Sequence, residues 1–364
     1  MLNRKIHFSL LGSLFFQSLV WAGPVSLDAA QVEPLRRLVA TDPEATAQFN
    51  SLRKTADAAL KATPQPIPVL ISEGKLASDP DKKKTLIALK DMPKAYSLAW
   101  AWLIDKNDQY SEKGIEFIKA WAQTNRPDGD PINETNLERL IVAYDILRPQ
   151  FTPEDQTAID NWLRDRAIKL WNDPRVHTGN WQSHRLKIVG MIATVVNDEA
   201  LWNNVVEGFK QQIDVSFLPD GESIDFKSRD SMHYHLYSVQ PLLALACVAQ
   251  QRDLDWYNYR APDGASLRQT VDFIKPFTDG EKTHMEFAHS SAKFDQTRAN
   301  AGQKEYMPHE WESCQAGPTF ATASCVDPSM ADLAVKTWCG NGKSSHEHYV
   351  NWESVVNAVR RGPG

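Results

Sequence analysis

The chain has 364 residues, 42% of them hydrophobic, enough to bury the core of one large or two ordinary domains. Its formal net charge of -6 argues against general nucleic-acid affinity, because phosphate backbones are bound by basic footprints. An anionic ligand must instead meet a local cluster of Lys, Arg, His and Asn.

Residues 1–22 read as a secretory signal peptide: Arg4 and Lys5 precede an apolar run from Phe8 to Trp21, and Val20-Trp21-Ala22 forms a small-x-small cleavage pattern. Ser and Gln interrupt the run, which falls short of the roughly 20 apolar residues a membrane span needs, so an anchor is the weaker reading. The mature chain is expected in the periplasm or outside the cell, free of the membrane. Residues 23–70 read as polar helices ending in the Pro-rich turn ATPQPIPVL. The next stretch carries Lys75 and Lys82–Lys84, either a grip for an acidic chain or a solvated charge run.

From about Ala88 the sequence becomes a series of helical stripes separated by short turns. Tyr96, Trp100 and Leu103 form one; Leu137, Ile141, Tyr144 and Leu147 form another, which stops before Pro149. Thr152 is a predicted N-cap with Pro153 in the first turn, followed by Ile159, Leu163, Leu170 and Trp171. Further helices are predicted over 181–196, 199–217, 230–250 and 265–276. The low periodicity of 277–325 predicts long loops or short strands over one face. The pattern is all-α and reads as one domain over 23–364, with helical hairpins arranged as a bundle, a solenoid or an α/α toroid. Twelve tryptophans and nine tyrosines tilt the choice toward a toroid whose mouth stacks on sugar rings, although any single Trp within a stripe belongs to the core. Of four cysteines, Cys247 lies in an apolar run, Cys314 and Cys325 flank a Gly/Pro loop and are candidates to pair, and Cys339 is left open. Their spacing is not that of a zinc site, and no metal is expected.

Two stretches carry polar groups that an ordinary core would not. In HTGNWQSHRLKIVG, Asn180 and His184 stand one turn apart at a predicted helix start, where unpaired N–H groups favour a carboxylate. The alternative is an Asn cap and a half-exposed His. In FKSRDSMHYHLYSVQ, one helix over 230–250 would align Arg229, His233, Tyr237 and Gln240 on a polar face beside Asp230 and Tyr234, with His235 on another side. Satisfied core histidines and interfacial tyrosines are the alternative there.

HYHLY at 233–237 followed by PLLALA resembles the His-Tyr-His-x-Tyr helix of alginate-lyase-type polysaccharide lyases, and GNWQSH resembles a variant of that family's Asn-Asn-His motif. YDILRP and EKTHMEFAHSSAKFDQTRA extend the resemblance. It implies an α/α toroid (an incomplete α/α barrel) that cleaves a 4-linked acidic polysaccharide, alginate or glucuronan, by β-elimination without a cofactor. Asn180, His184 and Arg229 would neutralise the C5 carboxylate, and Tyr237 would act as base and acid, with Tyr234 as fallback. His233 would be the base for the opposite C5 configuration. Trp181, Gln182, Tyr234, Glu286, His289 and Lys293 would bind substrate, the last three within a polar cluster with Arg298 for which surface salt bridges are the alternative. The sequence departs from the family pattern in placing Trp181 directly after Asn180 and His184 a turn later, which points to a branch with an altered substrate. Two rivals stay open: a glycoside hydrolase using a pair among Asp220, Glu222, Asp225 and Asp230, and a non-catalytic protein that binds acidic polysaccharide.

Overall fold

The computed structural model describes residues 25–339 and 347–361, so the signal-peptide segment lies outside the described residues. The N-terminal polar segment forms α1 (Ala29–Thr41) and α2 (Pro43–Ala59), separated by Asp42, whose side chain caps α2 just ahead of Pro43. After the Pro-rich turn come α3 (Pro80–Ala88), α4 (Asp91–Asp105), α5 (Asp108–Thr124), α6 (Pro131–Glu134) and α7 (Glu138–Leu147). Thr152 caps α8 (Pro153–Trp171), as its sequence predicts. Then follow α9 (Gly179–Val195), α10 (Glu199–Ser216), α11 (Ile224–Arg229), α12 (Met232–Gln250) and α13 (Leu267–Thr278). The C-terminal part holds α14 (Lys293–Asn300), α15 (Gly317–Ala323), α16 (Met330–Lys336) and α17 (Trp352–Arg360).

These helices pack as an α/α toroid. The inner ring runs α2, α4, α7, α9, α12, α15 and α17, each packed on the next, and α17 returns to α2. Ahead of them in sequence lies α1, and between them lie α5, α8, α10, α13 and α16; these pack against the outside of that ring. Inner helices are covered on most sides, so their apolar stripes widen into whole faces. In α9 every residue except Trp181 is buried, and Leu186, Val189 and Ile192 are fully so. α9 and α12 form the most extensive helix pair, and the contact is close at Gly190, where a Cβ would stand 2.5 Å from Leu245 Cδ1 and 3.2 Å from Val205 Cγ1. Arg185 is buried in the same helix because carbonyls of Leu170, Arg175 and Val176 and the Gln182 amide oxygen accept its N–H groups.

Three sequence expectations change. The helix predicted over 230–250 forms as α12 from Met232, but Arg229, expected in line with its polar face, belongs to α11, which Asp230 ends with a φ of 48° before Ser231 caps α12. The region 277–325, expected as loops or strands, contains the short antiparallel pair Met285–Glu286 with His309–Glu310 but also α14 and α15. Cys314 pairs with Cys339, not with Cys325, which is buried within reach of the Cys247 thiol. Most tryptophans in the stripes are core, among them Trp100, Trp121, Trp162 and Trp202.

Replacing Gly190 by Val should overpack the α9–α12 contact and cost about 1–3 kcal/mol, read as a lowered urea midpoint at unchanged slope. Non-reducing peptide mapping should recover a Cys314–Cys339 cross-link, with the Cys247 and Cys325 thiols reacting only after unfolding.

Candidate active site

The N-terminal ends of α9 and α12 meet at one rim of the toroid, and a cleft of about 620 Å³ opens there. Asn180, Trp181, Asp225, Arg229, His233, Tyr234 and Tyr237 all line it. The carboxylate expected at the start of α9 is present, and it is the protein's own. Asp225 accepts the backbone N–H of Asn180 (2.6 Å), the Asn180 side-chain amide (2.9 Å) and the Ser238 hydroxyl (2.6 Å). Gly179 permits this approach: its φ is 58°, and a Cβ there would lie 2.6 Å from an Asp225 oxygen. Burial lifts the Asp225 pKa above the ordinary carboxylate value, against the lowering effect of the Ser238 and Asn180 bonds. The Asn180 amide retains a second N–H for a ligand.

Arg229 reaches the cleft from the end of α11. Its Nε lies 3.1 Å from Asp295 Oδ2, and its guanidinium stacks 3.8 Å above the Tyr234 ring. Arg298 donates to the Tyr234 hydroxyl at 2.9 Å and packs over Tyr306. Two guanidiniums thus fix Tyr234, while Asp295, almost fully buried, balances both.

Tyr237 sits one turn along α12 from His233, their rings nearly parallel with centroids 6.1 Å apart. Burial is the largest cause raising the Tyr237 pKa well above 10, with nearby Glu73 adding to it, so the phenol keeps its proton. His233 is exposed at the cleft wall; desolvation by the surrounding protein, then the charges of Arg229 and Arg298, lower its pKa below 6.5 and favour the neutral imidazole. His184 is likewise held neutral, by burial and then by the charge of Lys187. Its ring centroid lies 4.3 Å from that of Tyr237, and its Nδ1 lies 2.9 Å from Thr135 Oγ1. His184 does not line the cleft beside Asn180; it stands behind Tyr237, facing a second cavity.

Other expected ligand residues lie elsewhere. Gln182 is buried and turned to Arg185. Glu286 is buried, accepting the backbone N–H of His233, so it braces the start of α12. His289 is exposed and bonded to Asp230, and Lys293 is exposed at the start of α14; neither lines the cleft. Of the four carboxylates considered for hydrolysis, Asp225 alone lines it. Of the Lys run, Lys82 does so, held by the Lys75 carbonyl at 3.2 Å. Glu73, Arg298 and Tyr306 complete the polar wall from distant parts of the sequence that no periodic pattern joins. Among the charged lining groups, Lys82, Arg229 and Arg298 outnumber Glu73 and Asp225, so a cleft in a net-acidic protein carries excess positive charge.

The model of the family described as alginate lyase matches residues 40–284. A protein described as a polysaccharide lyase from Stenotrophomonas maltophilia is 27% identical over 167 residues, covering 40% of this chain. That match spans 48% of the relative, about half its length. Among solved structures, an alginate lyase from Bacteroides ovatus superposes with a TM-score of 0.69 at 16% identity, covering 92% of this chain and 98% of the other. Alginate lyase A1-III from Sphingomonas species A1 gives a TM-score of 0.56 at 17% identity, covering 74% and 82%. A variant of alginate lyase A1-III complexed with a tetrasaccharide gives 0.56 at 18% identity, over 73% and 80%. With two-thirds of its length inside that family model and the same toroid in these structures, the chain belongs to the alginate lyase family.

Proposed function

We propose that the protein is a polysaccharide lyase that cleaves a 4-linked polyuronide by β-elimination. The observation that carries this reading is the convergence on one cleft of Asn180 and Arg229, which suit a carboxylate, with His233 and Tyr237, a base and an acid whose rings stand 6.1 Å apart. In the reaction the C5 proton leaves, the C4–O bond breaks, a C4–C5 double bond forms, and the departing oxygen takes up a proton. Arg229 and the free N–H of Asn180 meet the C5 carboxylate, so that negative charge spreads into it as the C5 proton departs. His233 accepts that proton as a neutral base, and Tyr237 donates its own to the C4 oxygen. The resemblance gives Tyr237 both roles, but the ionised phenol needed for that is opposed by burial and by Glu73. Trp181, half-buried at the cleft wall with the Arg175 guanidinium 5.4 Å over its ring, offers a platform for a sugar face.

The excess of cations supports an acidic polymer, and alginate or glucuronan both meet that requirement. Extracytoplasmic location is part of the same proposal, supported by the leader-type pattern of residues 1–22 and by the Cys314–Cys339 disulfide. A hydrolase would need two carboxylates flanking the bond, whereas Asp225 is committed to Asn180 and Ser238.

Mixing the purified protein with polymannuronate, polyguluronate and glucuronan should raise the near-ultraviolet absorbance of unsaturated ends on at least one polymer. Tyr237→Phe should lower kcat about a hundredfold or more. His233→Gln should do the same, and retention of near-normal rate in that variant would return both proton transfers to Tyr237. No absorbance on any polymer, with no new reducing ends, would overturn the lyase reading.

The sign of each shift fixes the pH profile. A base acts only when unprotonated, so kcat/KM should fall as pH drops through the His233 value, below 6.5. An acid acts only when protonated, so the alkaline limb should lie above pH 10. A profile with an acid limb above pH 7 would contradict this assignment.

A further inference from the structure

Behind Tyr237 the ring of helices encloses a second cavity, of about 480 Å³. Tyr237 lines both spaces, and His184, packed against its ring, faces the inner one. Three features mark this cavity as a polar binding space and not a packing gap. First, the His184 imidazole, about 95% buried, forms part of its wall, with Nδ1 2.9 Å from the Thr135 hydroxyl oxygen and the ring packed on Tyr237.

Second, the charged groups of the wall are already accounted for, with one exception. Lys187 is paired with Glu138, Tyr96 donates to Glu353, and Arg360 donates to the carbonyls of Val25 and Ser26. Arg139 makes no ion pair among the described residues and lies 5.6 Å over the Tyr96 ring, its guanidinium available. Third, the opposite wall carries Trp338, half-buried, and Gln240, one turn beyond Tyr237 on α12. An indole plane, an amide, an imidazole and an unpaired guanidinium are the groups that hold a uronic acid ring.

We propose that the inner cavity is the subsite for the uronate on the far side of the scissile bond, with Arg139 taking that sugar's carboxylate and the Gln240 amide a ring or linkage oxygen. The chain passes Tyr237, so the sugars on either side of the cut are held in different compartments, one by Arg229 and Asn180 and the other by Arg139. This rests on the lyase reading and deepens it. Arg139 is a specificity residue, since it touches a sugar that undergoes no bond change at its own carboxylate.

The test uses the full mature chain with saturated tetrasaccharides of mannuronate, guluronate and glucuronate. For the tetrasaccharide that is cut, Arg139→Ala should raise KM about tenfold, with kcat changing far less, because a lost charged hydrogen bond is felt in binding. Arg139→Lys should recover part of the affinity, and the distribution of product lengths should shift in Arg139→Ala. Unchanged KM and unchanged product lengths in a variant that melts with the wild type would overturn the proposal. Calorimetric binding to Tyr237→Phe separates this from failure of the lyase reading. If the wild type cuts nothing but the tetrasaccharide binds Tyr237→Phe and is weakened by adding Arg139→Ala, the subsite stands while the lyase chemistry falls. If binding to Tyr237→Phe is the same with and without Arg139→Ala, the subsite falls whatever the wild type does.

Discussion

One half-buried carboxylate, Asp225, ties together the two helices at the reactive end of this toroid. Asp225 receives three hydrogen bonds, two from Asn180 at the start of α9 and one from Ser238 on α12. A carboxylate so placed would be costly without those donors, and with them it becomes a cross-link between the two helices that carry the polar chemistry. The left-handed Gly179 lets the backbone approach, and Gly190 lets the same helices close on each other farther along. The spacing between the carboxylate-binding groups and the proton-transfer groups is thereby set by the fold and not by side-chain choice. Positioning of this kind is what converts a set of weak acids and bases into a catalytic site.

Burial has opposite consequences for the groups it surrounds. It disfavours whichever form is charged, so it holds the proton on Tyr237 and keeps it off His184, while on the exposed His233 the charges of Arg229 and Arg298 act in the same direction as desolvation. The division of labour between acid and base follows from one physical cause acting on two side-chain chemistries. The cations do not reverse this: Arg229 is balanced by Asp295 and stacked on Tyr234, and Arg298 is drawn to the Tyr234 hydroxyl. They remain oriented toward the cleft, where an acidic chain supplies the charge they lack.

Much of this was legible in the residues. The stripes through Leu137, Ile141, Tyr144 and Leu147, and through Ile159, Leu163 and Leu170, are buried as their period predicts: the first runs along the inner α7, and the second is the face that the outer α8 turns to the ring. Thr152 caps its helix because Pro153 and the acidic first turn leave little alternative. The polar crowding on α12 was also visible, and it brings His233, Tyr234 and Tyr237 to the cleft. What pattern could not show is that left-handed Asp230 separates Arg229 from the helix predicted over 230–250, since a single such residue leaves the polar spacing intact. Arg229 still arrives at the cleft, but from another helix. Nor could spacing choose Cys339 over Cys325, because pairing depends on where α15 buries one thiol. Of the C-terminal polar cluster Glu286, His289, Lys293 and Arg298, Arg298 lines the cleft and the other three do not. Asp225 was visible as a carboxylate, yet only the fold shows that it is spent on holding Asn180.

The most direct measurement is mass spectrometry of products formed from a uronide polymer in water enriched in heavy oxygen. Elimination takes no atom from the solvent oxygen, so the account predicts unsaturated fragments free of the label. Saturated fragments carrying one labelled oxygen at the new reducing end would show hydrolysis and contradict it.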